Sequence, residues 1–128
     1  MKILLDTNIL LLAAGNTLHS TAEKYILDES NELYYSSANI WEIAIKRGLN
    51  RPDFNIDPHP LYISLQKSDY RQLPITAEHT LLTSTLPMIH KDPFDRILLS
   101  QSISEDISLL TTDKILTKYP ASVILVQK

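Results

Sequence analysis

An α/β domain built on a mainly parallel sheet is predicted by three observations. Short apolar runs alternate with longer helical stretches along the chain, the pattern of repeated strand–helix–strand units. The short runs are mostly apolar instead of alternating, as in strands covered on both faces. At 128 residues the chain is expected to be a single domain, residues 1–128, with one core. Right-handed crossovers through the helices would join the parallel strands.

Five strands are expected: Lys2–Leu5, Leu33–Ser36, Tyr70–Leu73, Ile107–Leu110 and Ser122–Val126. The helices between them are read from their caps. Ser20 followed by Glu23 forms a capping-box pattern and opens a helix carrying Ala22, Tyr25, Ile26 and Leu27. Ser36 or Ser37 caps the next, with Ile40, Trp41, Ala44 and Ile45 as its buried side and Gly48 near its end. Asn50–Pro60, with prolines at 52, 58 and 60, reads as a loop, followed by a helix over Leu61–Ser68. Thr76 caps a helix over Ala77–Thr85 that stops before Pro87. A further helix runs over Phe94–Ser104, and a short one over Lys114–Lys118.

Composition removes several chemistries. No cysteine is present, which excludes disulfides, zinc–thiolate sites and thiol catalysis. The net charge of −3 provides no general basic footprint, so polyanion binding would need a local basic patch or bridging metal ions. No run approaches the roughly 20 apolar residues that span a bilayer. The stretch Ile9–Ala14 lacks the flanks of a signal peptide, and a cytoplasmic location is expected.

Four acids are the chemical clue. Asp6 ends the first strand, Glu42 lies early in a helix, Asp95 sits in the first turn of another, and Asp113 closely follows the fourth strand. In a parallel sheet the strand carboxyl ends share one edge, so these groups would converge there. Two unit charges about 4 Å apart cost about 4 kcal/mol at an effective dielectric of 20, a penalty that a divalent cation would remove. Each acid also has an ordinary explanation. Asp6 and Asp113 suit helix caps, and Asp92-Pro93 suits a cap followed by the first helical position, with Asp95 complementing the dipole. His79 and His90 are read as residues making local hydrogen bonds.

The motifs Leu5-Asp6-Thr7-Asn8, Leu73-Pro74-Ile75-Thr76, His90-Lys91-Asp92-Pro93-Phe94-Asp95-Arg96 and Leu110-Thr111-Thr112-Asp113 occur in an order that resembles the PIN-domain ribonucleases. Within that family the chain resembles the VapC-type toxins of toxin–antitoxin pairs. The resemblance implies a three-layer α/β/α sandwich and an endoribonuclease dependent on Mg²⁺ or Mn²⁺. Its metal-binding catalytic acids would be Asp6, Glu42, Asp95 and Asp113, with Asn8, Asp92 and Thr111 supporting them. Lys46, Arg47, Lys91 and Arg96 are candidates to hold RNA phosphates, against the alternative of ordinary surface charges.

The implied partners are a VapB-type antitoxin, an RNA substrate and a second copy of the chain, with no membrane. Leu10–Leu12 and Tyr25 would face a partner or the core. Two alternatives stand beside this reading. One is a non-catalytic binding module of the same fold. The other is a phosphatase using Asp6 as nucleophile, although Asn8 stands where its second Asp is required.

Overall fold

A computed structural model describes residues 1–128. The strands are β1 (Lys2–Leu5), β2 (Glu32–Ser36), β3 (Arg71–Leu73), β4 (Ser108–Thr111) and β5 (Val123–Leu125). They form one sheet in the order β3-β2-β1-β4-β5, and every neighbouring pair is parallel. Helices α1 (Thr7–Ala14) and α2 (Ser20–Leu27) connect β1 to β2, while α3 (Ser37–Gly48) and α4 (Pro58–Lys67) connect β2 to β3. Helices α5 (Ala77–Leu82) and α6 (Pro93–Glu105) lead to β4, and a 3₁₀ turn at Lys114–Lys118 leads to β5.

The five expected strands are all present, with ends shifted by one residue at most. Alternate side chains of the strands enter two separate cores. Ile3, Leu5 and Leu110 pack with Ile9 and Leu10 of α1, Ala22 of α2 and Leu65 of α4. Leu4 and Leu109 pack on the other face with Ala38 of α3, Ile97–Leu99 of α6, Leu116 and Tyr119. Two faces, each covered by helices, make the three-layer sandwich, and they explain why β1 and β4 carry consecutive apolar residues, Ile3–Leu5 and Leu109–Leu110.

Three local expectations are corrected. Helix α2 is capped by His19, whose Nδ1 accepts from Thr21 N at 3.1 Å, and not by a Ser20–Glu23 box. Helix α4 starts three residues early, because Asp57 caps it through His59 N and Pro58 fits the first turn, where no N–H is needed. Helix α3 is rotated from its expected phase. Trp41, Ala44 and Ile45 are exposed, whereas Ala38, Asn39, Glu42 and Ile43 are buried. Trp41 instead packs edge-on against Phe94, with ring centroids 5.1 Å apart. Leu10 is in the core, while Leu11, Leu12 and Tyr25 are half-buried. No helix is long and apolar enough to cross a membrane.

Candidate functional site

Between β1 and β4 the winding of the chain changes direction, since β2 and β3 lie to one side and β4 and β5 to the other. Ligands of open parallel sheets bind beyond the strand carboxyl ends at such a switch point. A cleft of about 630 Å³ opens there and is lined by Asp6, Glu42, Asp95 and Asp113 together with Thr7, Asn8 and Thr112. Four acids from four segments therefore share one cleft.

Asp6 is only 6% exposed. It caps α1, its Oδ1 accepting from Ile9 N at 3.0 Å. The β1–β4 register pairs Leu5 with Leu110, which sets Asp6 beside Thr111. Thr111 Oγ1 donates to Asp6 Oδ2 and accepts from Asp113 N at 3.0 Å, so one hydroxyl links two acids. Burial raises the Asp6 carboxyl above its ordinary value, opposed by the bonds from Thr111 and Ile9 and reinforced by the charge of Glu42.

Glu42 is 5% exposed, on the turned-in face of α3. Thr7 Oγ1 donates to its Oε1 at 2.5 Å, and Lys46 Nζ lies 2.7 Å from its Oε2. Thr7 in turn accepts from Asn39 Nδ2 at 3.0 Å, and Asn39 Oδ1 accepts from Ser36 N at 2.6 Å. The capping box of α3 thus continues through Thr7 to an acid in the cleft. This chain of hydrogen bonds accounts for the phase of the helix: its buried arc satisfies polar groups, not only apolar ones.

Asp95 occupies the third position of α6 and caps nothing. Its Oδ2 lies 2.8 Å from His90 Nε2. Burial raises its carboxyl to about 6; the charges of Asp92, Asp6 and Glu42 push the same way and the His90 bond opposes them. Asp113 caps the following 3₁₀ turn by accepting from Ile115 N at 3.1 Å. Ligand atoms of His90, Asp95 and Asp113 all lie within 4.8 Å of one another.

The supporting residues differ in what they do. Asn8 is exposed on the cleft wall and donates to Thr112 Oγ1 at 3.4 Å. Asp92 does not line the cleft; it caps α6, accepting from Phe94 N at 2.9 Å and Asp95 N at 3.4 Å.

The expected phosphate-binding arginines are elsewhere. Arg96 is 9% exposed, and its guanidinium donates to the carbonyls of Thr83, Leu86 and Pro87. It ties down the segment from Thr83 to His90 and is not among the residues lining the cleft. Arg47 pairs with Asp57 at 2.8 Å and holds that carboxyl down to about 2. Lys91 lines a separate hollow beside Trp41. The cations lining the cleft are Lys46, Lys114 and Lys128, near Phe54 and Ile56. His79 is buried and accepts from Thr76 N at 3.0 Å, completing the cap of α5.

His90, like His79, makes the local hydrogen bond expected of it, to Asp95; sequence reading missed Asn39, the tie from Thr7 to Glu42, and Lys114 and Lys128. Asn39 had a signal, because it stands three residues after Ser36 and three before Glu42, a cap on one side and a helical neighbour on the other.

A family model described as PIN domain matches residues 3–121. Among solved structures, the VapBC2 complex of Rickettsia felis bound to a promoter DNA fragment is similar with a TM-score of 0.73 at 20% identity, covering 100% of this chain and 99% of that one. A VapBC-5 structure from Mycobacterium tuberculosis, of the VapBC family of toxin–antitoxin systems, is similar at 0.64 and 15% identity, covering 99% and 98%. The PIN domain endonuclease Utp24 is similar at 0.59 and 15% identity, covering 99% and 86%. At such identities these likenesses establish the shared fold. A comparison with curated proteins finds no significant match.

Proposed function

Because this chain belongs to the PIN domain family, we propose that it is a metal-dependent endoribonuclease and the toxin of a toxin–antitoxin pair. Membership sets aside the phosphatase alternative. The observation that carries the proposal is the convergence of Asp6, Glu42, Asp95 and Asp113 on one cleft at the switch point of the sheet.

The donor set fits a hard divalent cation, Mg²⁺ or Mn²⁺. It consists of carboxylate oxygens, two of them on side chains whose charged form is disfavoured by burial and by neighbouring acids. When bound, such an ion polarises the phosphodiester and activates water for in-line attack. Asp6 and Asp95 are assigned as principal ligands, with Asp113 and Glu42 completing the set.

The chain's own residues prepare the site. Thr111 aligns Asp6 with Asp113, and Thr7 with Asn39 fixes Glu42. Lys46, Lys114 and Lys128 give an acidic cleft a basic rim on which RNA phosphates would rest, which the net charge conceals. VapBC structures suggest the partner: a small antitoxin of VapB type, with self-association also expected.

The test is cleavage of total RNA and tRNA in Mg²⁺ or Mn²⁺. Asp6→Asn and Asp95→Asn should abolish cleavage while keeping a cooperative melt. Lys114→Ala with Lys128→Ala should raise KM, whereas Arg47→Ala should not. Full activity in either folded Asn variant refutes the assignment and favours a non-catalytic binding module.

A further inference from the structure

We propose that His90 is a positioning residue that holds the Asp95 carboxylate in the cleft, an inference that rests on the nuclease reading above. Three of the four acids are held by groups next to them in the chain or by a threonine. Asp6 is held by Ile9 N and Thr111, Glu42 by Thr7 and Lys46, and Asp113 by Ile115 N. Asp95 is the exception. It sits one turn into α6, caps nothing, and the hydrogen bond to its carboxylate comes from His90 Nε2 at 2.8 Å.

The backbone of His90 is clamped on both sides. Its N–H donates to Tyr119 Oη at 2.7 Å, and its carbonyl accepts from Tyr119 Oη and from Arg96, each at 3.4 Å. Arg96 also donates to the Pro87 carbonyl at 2.9 Å, so the loop from Leu86 to His90 is tied to the start of α6 and to the segment before β5. Tyr119 is 4% exposed and belongs to the core. The ring is therefore aimed from a rigid base.

In the tautomer carrying its proton on Nε2, His90 donates to Asp95 Oδ2 and leaves Oδ1 for the cleft. The same nitrogen lies 3.9 Å from Asp113 Oδ2, which places the ring between the two acids that flank it. A partner that orients a ligating carboxylate lowers the entropy lost when the ligand is recruited. Loss of such a partner weakens metal binding by roughly 10–100-fold.

The experiment is calorimetric titration of the full chain with MnCl₂ and, separately, MgCl₂, comparing wild type, His90→Ala and His90→Gln, with thermal melts to verify folding. Gln carries an amide nitrogen near the position of Nε2. His90→Ala should raise Kd for both ions by a similar factor, roughly 10-fold or more, and His90→Gln should recover most of the loss. Tyr119→Phe, which removes the clamp and keeps the ring, should fall between them and serves if His90→Ala does not fold.

Unchanged affinity in folded His90→Ala overturns the proposal. A loss confined to Mn²⁺ that Gln does not rescue also overturns it, because that pattern marks a direct nitrogen ligand. Wild-type protein that binds neither ion sinks the nuclease reading itself and this inference with it, a result distinct from metal binding that ignores His90.

Discussion

Thr7 shows how much one hydroxyl can carry. It donates to Glu42 at 2.5 Å, accepts from Asn39, and is 6% exposed. Replacing it with Val keeps the shape and leaves two buried polar groups without their partner, which costs about 1–3 kcal/mol for each unsatisfied group. Thr7→Val should therefore lower the melting temperature and reduce kcat more than KM, because Glu42 loses its orientation within the cleft. Steady-state kinetics beside a thermal melt checks this. A variant that melts lower with unchanged kcat would show that Thr7 matters to the fold alone. The tie runs between residues 35 positions apart, so no local pattern announces it.

At the scale of elements, helix starts deliver most of the site. Asp6, Asp92 and Asp113 each accept from backbone N–H groups of the turn they open, satisfying donors that a helix start leaves unpaired. Capping and ligation are thus compatible for Asp6 and Asp113, whereas Asp92 caps α6 away from the cleft. Asp92→Asn should be nearly silent in stability, since Asn caps as well as Asp. Asp92→Ala should cost about 1 kcal/mol. Both variants should keep metal-dependent cleavage at a temperature where they are folded, measured by chemical denaturation and by the RNA assay. Loss of cleavage in the folded Asn variant would make Asp92 a ligand after all. Helix α3 teaches a different lesson: an apolar stripe read from Ile40, Trp41, Ala44 and Ile45 predicted its buried side, yet the polar network through Asn39 and Glu42 determines how it is turned.

Over the whole molecule, the acidic cleft couples stability to pH, and on the proposed reading it would couple stability to a divalent cation as well. Asp95 has a carboxyl raised from 3.8 to about 6 in the folded chain, and that of Asp6 is raised as well. Between the unfolded and folded values the native state binds more protons than the unfolded state, so stability falls as pH rises through that window. The metal-free protein should accordingly melt at a higher temperature at pH 5 than at pH 7. Asp95→Asn should reduce that difference, and an undiminished slope would contradict the assignment. The lowered carboxyls of Asp57, Asp28 and Glu78 act the opposite way, but only as pH falls through their ordinary values of 3.8 for Asp and 4.5 for Glu. A divalent cation favours the ionised acids and stabilises by mass action, so its effect on melting should be larger at pH 7 than at pH 5.

The local sequence by itself determined the elements. The five strands follow from short apolar runs, and Asp6, Ser36, Thr76, Asp92 and Asp113 mark helix starts, because strand burial and helix capping depend on residues a few positions apart. Asp6, Asp95 and Asp113 were legible for the same reason, since they sit at a strand end or a helix start, whereas Glu42 lies inside α3 and carries no such local mark. What the tertiary structure alone decided is which charges face the cleft. Arg96, expected at its rim, is buried among carbonyls, while Lys114 and Lys128 line it. It also decided that Glu42 turns inward onto Thr7 and that Tyr119 fixes the backbone of His90. The rotation of a helix and the aim of a long side chain depend on hydrogen bonds between distant segments, and those partners exist only after the sheet has brought its strand ends together.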